Sequence, residues 1–554
     1  MMNPRSLLRI ATLGPFSLAA FVGLFACSEH PDPSKQAPSP SQAVGTAASA
    51  LTGAHDPGGE ATHGIAWRKG DVDAAFAEAR TTHMPVFLYW GAIWCPPCNQ
   101  VKATIFNRQD FIDRARFFVP VYIDGDSPSA QKLGARFNVS GYPTMILFTS
   151  DGREITRLPG EVDAEQYMRV LALGMSDTRP VKETLAAALG RAGSKHAAKL
   201  TADDWRMLAY YSWEVDEQQL VPRPQLSSTL QRLARACPAD QPDSATRLEL
   251  QAIAVAATEK GVKPTPNAAA TARLMTVLGD AQVARANFDT LTEYPGEIVG
   301  FVTTAKSPER ARLVAAWTAA LDRLASDATL STADRLTAIT GEVALAKLDG
   351  GKKSLPAPLL DKVREQVARA DRTINDPYAR QAVISAAADA LTEAGLLDES
   401  DVLLKAELKR SHSPYYFMVD LAENAKKRGD KSAALEWYAQ SYAAAEGPAT
   451  RLQWGVRYVN ALTELAPQDT DRVEQAAKSV ISELDPTPDT FYERNLRGLE
   501  RMGTKLSAWG KDPAQAAALA RIRAQMSDVC SKLPSTDPVR AKCNSALHPQ
   551  PVHA

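Results

Sequence analysis

The sequence predicts an α/β domain near its start followed by a large all-α region, and three observations predict it. Apolar periodicity alternates between helix-like and strand-like spacing across residues 63–178. Strand signals then stop, and residues 179–554 run in Ala-, Leu-, Glu-, Lys- and Arg-rich segments of helical length, punctuated by Pro and Gly. Within that stretch a Gly-then-Pro punctuation repeats: Gly395 and Gly429 lie 34 residues apart, as do Pro414 and Pro448. At 554 residues the chain is too long for one core, so several domains are expected. A formal charge of −1 offers nothing to attract nucleic acid.

The α/β elements follow in order. Residues 71–80 read as a helix capped by Asp71 or Asp73, with Ala74, Phe76, Ala77 and Ala79 inward. Val86-Phe87-Leu88-Tyr89-Trp90 is an unbroken apolar run, as in a strand buried on both faces. A helix is expected over 96–111, a second buried strand over 117–123, and a helix over 129–137. Strands at 144–148 and 154–158 flank Thr149-Ser150-Asp151-Gly152, whose Asp-Gly step signals a hairpin, and Asp163 opens a closing helix to about 173. The order gives a parallel strand pair and a terminal antiparallel hairpin.

Ahead of this domain, Arg5 and Arg9 precede an apolar run over 10–26, the pattern of a secretory signal. Leu24-Phe25-Ala26-Cys27 resembles the lipobox of bacterial lipoproteins. That resemblance implies acylation at Cys27 and, with Ser28 next, an anchor in the outer membrane facing the periplasm. Residues 28–62 are rich in Pro, Ser, Ala and Gly, too poor in large apolar groups to fold, and read as a tether.

Cysteine usage fits an exported chain: Cys27, Cys95, Cys98, Cys237, Cys530 and Cys543. Cys530 and Cys543 are read as a structural disulfide worth about 3 kcal/mol, leaving Cys237 a buried free thiol.

The chemistry concentrates in Trp94-Cys95-Pro96-Pro97-Cys98, directly after a buried strand and at the head of a helix. Unpaired N–H groups and the helix dipole there favour a thiolate. Cys95 is expected to be the exposed attacking sulfur and Cys98, one turn in, the resolving thiol. Prolines at the first helical positions forfeit no hydrogen bond. Zinc would need two more ligands, and a c-type haem a His where Asn99 stands; a purely structural disulfide is the other alternative.

Together with Tyr142-Pro143-Thr144 just before a later strand, this motif resembles the thioredoxin superfamily over roughly residues 63–175. Trp67, the Ala-rich helix and Met84-Pro85-Val86-Phe87-Leu88 narrow the resemblance to exported bacterial domains similar to the C-terminal domain of the transmembrane disulfide reductase. The resemblance implies a thioredoxin fold and thiol–disulfide exchange without a bound cofactor or metal. It further implies a cis Pro143 and, with Trp94 and Tyr142 beside the cysteines, a surface for substrate backbone. Protein thiols or disulfides of the cell envelope and an upstream redox protein are the implied partners.

One departure stands out. Thioredoxins usually carry a buried Asp six residues before the first Cys, where this chain has Tyr89. A hydroxyl with an ordinary pKa near 10 is a poor proton acceptor, leaving water or another group such as Glu161.

Gly429-Asp430-Lys431-Ser432-Ala433-Ala434-Leu435-Glu436-Trp437-Tyr438 resembles the second half of a tetratricopeptide repeat, which implies stacked helix pairs. Ser400 and Leu404 stand at the small and aromatic positions of the preceding unit. The helical region is thus a candidate recruiter of partners for the redox pair. Alternatively, it is itself the functional part of an interaction or assembly protein, with the α/β domain as a holding module.

Overall fold

The computed structural model describes residues 64–548, except 128, 161–162, 177–178, 191–199 and 350–354. The signal, Cys27, the tether at 28–62 and Glu161 therefore lie outside the described residues. All described residues belong to one compact unit.

The α/β part is a five-stranded sheet of order β1-β3-β2-β4-β5, formed by β1 (Arg68–Lys69), β2 (Val86–Gly91), β3 (Val119–Asp124), β4 (Thr144–Phe148) and β5 (Glu154–Leu158). β2 runs parallel to β3 and antiparallel to β4, and β4–β5 is the hairpin. The two-residue β1, too short to leave an alternating pattern, pairs parallel with β3 and escapes a sequence reading.

Both sheet faces are covered, which is why β2 is apolar without a break. Val86, Leu88 and Trp90 point into one core with α1 (Val72–Thr82). Phe87 and Tyr89 point into the other with α3 (Gln109–Arg114) and α5 (Ala164–Met175), which follow α2 (Pro96–Val101) and α4 (Ala130–Phe137) in the chain. Asp71 caps α1, its carboxylate accepting from Ala74 N at 2.9 Å. The inward stripe is Val72, Ala75, Phe76 and Ala79, and the expected Ala74 and Ala77 are exposed instead. Spacing of i, i+3, i+4 and i+7 from Val72 selects that stripe.

The single helix expected over 96–111 is three pieces. After α2 the backbone widens into a π-helical turn, Lys102–Phe106, with Asn107 N bonding Lys102 O at 3.2 Å. Arg108 is extended, and α3 begins only at Gln109. The strand expected from residue 117 begins at Val119, Phe117 closing a 3-10 turn with 66 % of its surface exposed.

From Val181 onward the described chain is helical. Gly395 and Gly429 end the helices Pro377–Ala394 and Pro414–Arg428 in left-handed conformation, φ 81° and 82°. Each passes the chain to a second helix, Leu397–Glu407 and Lys431–Ala444. Pro414 and Pro448 then start the next helices, where their missing N–H is harmless. The Gly-then-Pro spacing is the period of a helix pair. Ser400, Leu404, Ala434 and Tyr438 are all buried within these pairs. No helix among the described residues is long and apolar enough to cross a membrane.

Candidate active site

The motif sits where the central strand hands over to a helix. β2 ends at Gly91, and Cys95 caps α2, its sulfur accepting from Cys98 N at 3.2 Å. Pro96 and Pro97 occupy the first helical turn, presetting its backbone. Cys95 and Cys98 are disulfide-bonded, with Cα atoms 5.2 Å apart. Across from them the Tyr142–Pro143 peptide bond is cis. Gly125 supports the ring of Tyr142, since a Cβ there would fall 2.4 Å from it.

Tyr89, at the position of the absent carboxylate, is buried and its hydroxyl has no hydrogen-bond partner. Burial, with Asp124 adding to it, drives its pKa far above the ordinary tyrosine value, so it accepts no proton near neutral pH. Charge instead enters from elements that sequence spacing did not single out. Lys102, one helical turn beyond Cys98, donates its backbone N–H to Cys98 O. Its amine lies 5.7 Å from the ring centre of Tyr122 and is pulled down to about 8 by burial, with Asp124 opposing the shift. Asp124 ends β3 opposite Gly91, and burial raises its carboxyl. The i, i+4 relation of Cys98 and Lys102 was visible in the sequence; the approach of Asp124 required the β2–β3 register.

One expectation is overturned. Cys95 is not exposed: 1 % of its surface is accessible, against 0 % for Cys98. The cause is the helical region, which covers the motif. The ring of Trp94 meets Trp454 edge-on at 4.9 Å and stacks on Tyr416 at 6.1 Å. Trp94 O accepts from Gln381 Nε2 at 3.3 Å, and Ile93 O faces His412 Nε2 at 3.1 Å. Tyr142 is buried too, under Arg494.

The remaining cysteines lie apart. Cys530 and Cys543 are bonded and fully buried, Cα atoms 5.7 Å apart, joining the helices Pro513–Ser531 and Val539–Ser545. Cys237 is free and half-buried, its thiol directed at Gln241 O, and burial pushes its pKa up to about 11.

A family model for the thioredoxin-like domain matches residues 72–174. Over 101 residues the chain is 35% identical to the thiol:disulfide interchange protein DsbD 1 of Pseudomonas aeruginosa, which covers 17% of this chain and 16% of that protein. It is 32% identical over 84 residues to the thiol:disulfide interchange protein DsbD of Actinobacillus pleuropneumoniae, 14% of each. The chain therefore spans about a sixth of the length of these interchange proteins. Thioredoxin 1 of Chlorobaculum tepidum is 31% identical over 87 residues, 16% of this chain but 81% of that protein. Fold, disulfide placement and this last coverage agree: through residues 72–174 the chain belongs to the thioredoxin family.

Proposed function

We propose that this protein is a thiol–disulfide oxidoreductase of the bacterial cell envelope, acting on protein substrates through Cys95 and Cys98. The observation that carries the reading is a disulfide bridging the head of a helix immediately after the central strand of a thioredoxin-family sheet. In the reducing direction the Cys95 thiolate attacks a substrate disulfide, forming a mixed disulfide and expelling one substrate thiolate. Cys98, as thiolate, then attacks the Cys95 sulfur, releasing the second substrate thiol and restoring the Cys95–Cys98 bond. Two electrons pass to the substrate, and an upstream dithiol must return them. Trp94, Tyr142 and Pro143 form the surface beside the reacting sulfur.

Residues 63–178 are assigned as the redox domain and 179–554 as the helical one. Export and a lipid anchor at Cys27 are supported by the N-terminal sequence alone, and an envelope role by similarity to the interchange proteins. Burial of both sulfurs favours a second reading, in which the helices act and the domain is a holding module.

Trapping separates the two. A full-length Cys98→Ala chain mixed with insulin should accumulate a Cys95-linked adduct, absent from Cys95→Ser/Cys98→Ala. No adduct, including in the opened variant described below, sinks the oxidoreductase reading.

A further inference from the structure

The redox face of a protein that exchanges disulfides with other proteins has to be reachable, and here it is covered by its own chain. Helices Pro414–Arg428, Pro448–Leu465 and Glu493–Trp509 supply Tyr416, Trp454 and Arg494 to that cover. Arg494 is the central piece. Its guanidinium carbon lies 5.2 Å from the ring centre of Trp94 and 5.0 Å from that of Tyr142, between the residue before Cys95 and the residue before Pro143. Gln453 holds it there, accepting from Arg494 Nε at 2.7 Å, and Gln131 accepts from Arg494 N at 3.1 Å.

The contact is partly apolar, with Trp94, Tyr142, Tyr415 and Trp454 in one buried cluster, and partly polar. Asp126, just past β3, accepts from Thr450 N at 2.6 Å and from the Thr450 hydroxyl. Gln100 of α2 donates to Asp334 at 2.6 Å. Polar atoms at the contact are left unmatched: Trp94 Nε1, Asn99 Oδ1 and His412 Nδ1 are buried without a hydrogen-bond partner. Each such atom gives up its hydration without a hydrogen bond in return. The cover is specific in geometry yet less favourable than a satisfied core. It also depends on one glycine: Gly447 has φ 82°, and a Cβ on it would stand 2.7 Å from Asp126 Cγ.

We propose that this helical face is an intramolecular docking surface for the redox face, occupying the place of a substrate polypeptide, and that exchange with protein substrates requires it to lift away. The regulation rests on the oxidoreductase reading above. Its partner in the closed state is the chain's own Trp94–Cys95 and Tyr142 surface. The lifted state frees an aromatic and cationic face, Tyr416, Trp454 and Arg494, on the helices.

The test uses the full chain in a Cys98→Ala background, where Cys95 is a thiol without added reductant. Alkylation by a polyethylene-glycol maleimide is followed peptide by peptide, with half-buried Cys237 as internal standard. Gly447→Val, placed to wedge the contact at Asp126, should accelerate labelling of Cys95 at least tenfold and leave Cys237 unchanged. Arg494→Ala should act in the same direction, and serves if Gly447→Val does not fold. Equal Cys95 labelling with and without these changes overturns the proposal. So does exchange of the Thr450 and Arg494 amides, which bond across the contact to Asp126 and Gln131, as slow in the unsubstituted chain as at residues 526–530, because the cover would then never lift short of global unfolding. The two readings fail separately. A Cys95 that opens to maleimide in the wedge variant yet forms no insulin adduct removes the oxidoreductase and keeps the docking surface. A Cys95 that labels and forms adducts equally fast without the wedge does the reverse.

Discussion

Among the described residues the molecule carries two disulfides that exposure cannot tell apart, since all four sulfurs are buried. What differs is what buries them. Cys530 and Cys543 are sealed by the helices they join and by their sequence neighbours, such as Met526, Val529 and Leu533. Cys95 and Cys98 sit at the edge of a sheet domain beside Trp94, which Trp454 and Arg494, several hundred residues away, cover across a contact with unsatisfied polar atoms. A structural bridge is buried by what it ties together. The other bridge is buried by helices remote from it in sequence.

The strongest way to break this contrast is Trp454→Ala. Trp454 is 2 % exposed, lies between Trp94 and Tyr415, and donates from Nε1 to Tyr415 O at 3.0 Å. Removing the ring should lower unfolding stability by about 3–5 kcal/mol. Under native conditions it should also speed reduction of Cys95–Cys98 by dithiothreitol while Cys530–Cys543 stays intact. Equal acceleration of both bridges in a peptide-resolved thiol assay erases the distinction.

The bridges should also differ when deleted. Chain-entropy reasoning assigns about 3 kcal/mol to the 13-residue separation of Cys530 and Cys543 and about 2 kcal/mol to the 3-residue separation of Cys95 and Cys98. Paired Ala substitutions measured by urea unfolding should follow that order. A larger loss for the shorter loop would assign the redox pair the greater structural role.

The two bridges also show what a sequence can and cannot disclose. Cys95-Pro96-Pro97-Cys98 after the run at 86–90 is local information, as are Gly395, Gly429, Pro414 and Pro448, whose backbone demands are written in single residues. The inward face of α1 was misjudged because alanine carries no strong preference, so Ala74 and Ala77 looked as suitable as Ala75. The π-helical turn at Lys102–Phe106 hides inside an apolar period that reads as one helix. The cover over Cys95 is the largest omission. Trp454 and Arg494 belong to amphipathic helices of ordinary composition, and nothing in a helical period names the surface it will meet.

Ionisation sharpens the contrast further, because Lys102, one helical turn beyond Cys98, carries a buried amine. Lys102 falls to about 8 in the folded chain through burial, against an ordinary 10.5. The unfolded chain therefore holds this proton more tightly, and stability rises as pH climbs through 8. Between pH 7 and pH 9 that contribution is about 1 kcal/mol. Lys102→Met should flatten that slope in urea unfolding series, while Cys530→Ala/Cys543→Ala should leave it in place. An unchanged slope in Lys102→Met assigns the pH dependence to another group.

The smallest effect concerns the seal itself. Asp126, facing Thr450, Asp124 and Arg494, is raised to about 6 from an ordinary 3.8, first by burial and next by Asp124, with Thr450 and Arg494 opposing. The Gly447–Thr450 segment supplies part of that burial and, through Thr450, hydrogen bonds that oppose it; where burial prevails, the closed arrangement holds the Asp126 proton more tightly than a lifted one. A group raised in this way favours closure fully below about 3.8 and loses its effect as pH rises through 6. From pH 7 to pH 5.5 closure should strengthen by at most about fourfold, the value for the whole shift, beyond the intrinsic fall in thiolate content. In the Cys98→Ala chain this reads as slower Cys95 alkylation after normalisation to a free thiol of known pKa. Asp126→Asn removes the titrating proton, so its normalised rate should be flat over the same interval. A normalised rate that rises on acidification, or an Asp126→Asn chain that keeps the full dependence, shows that the seal does not feel this carboxylate.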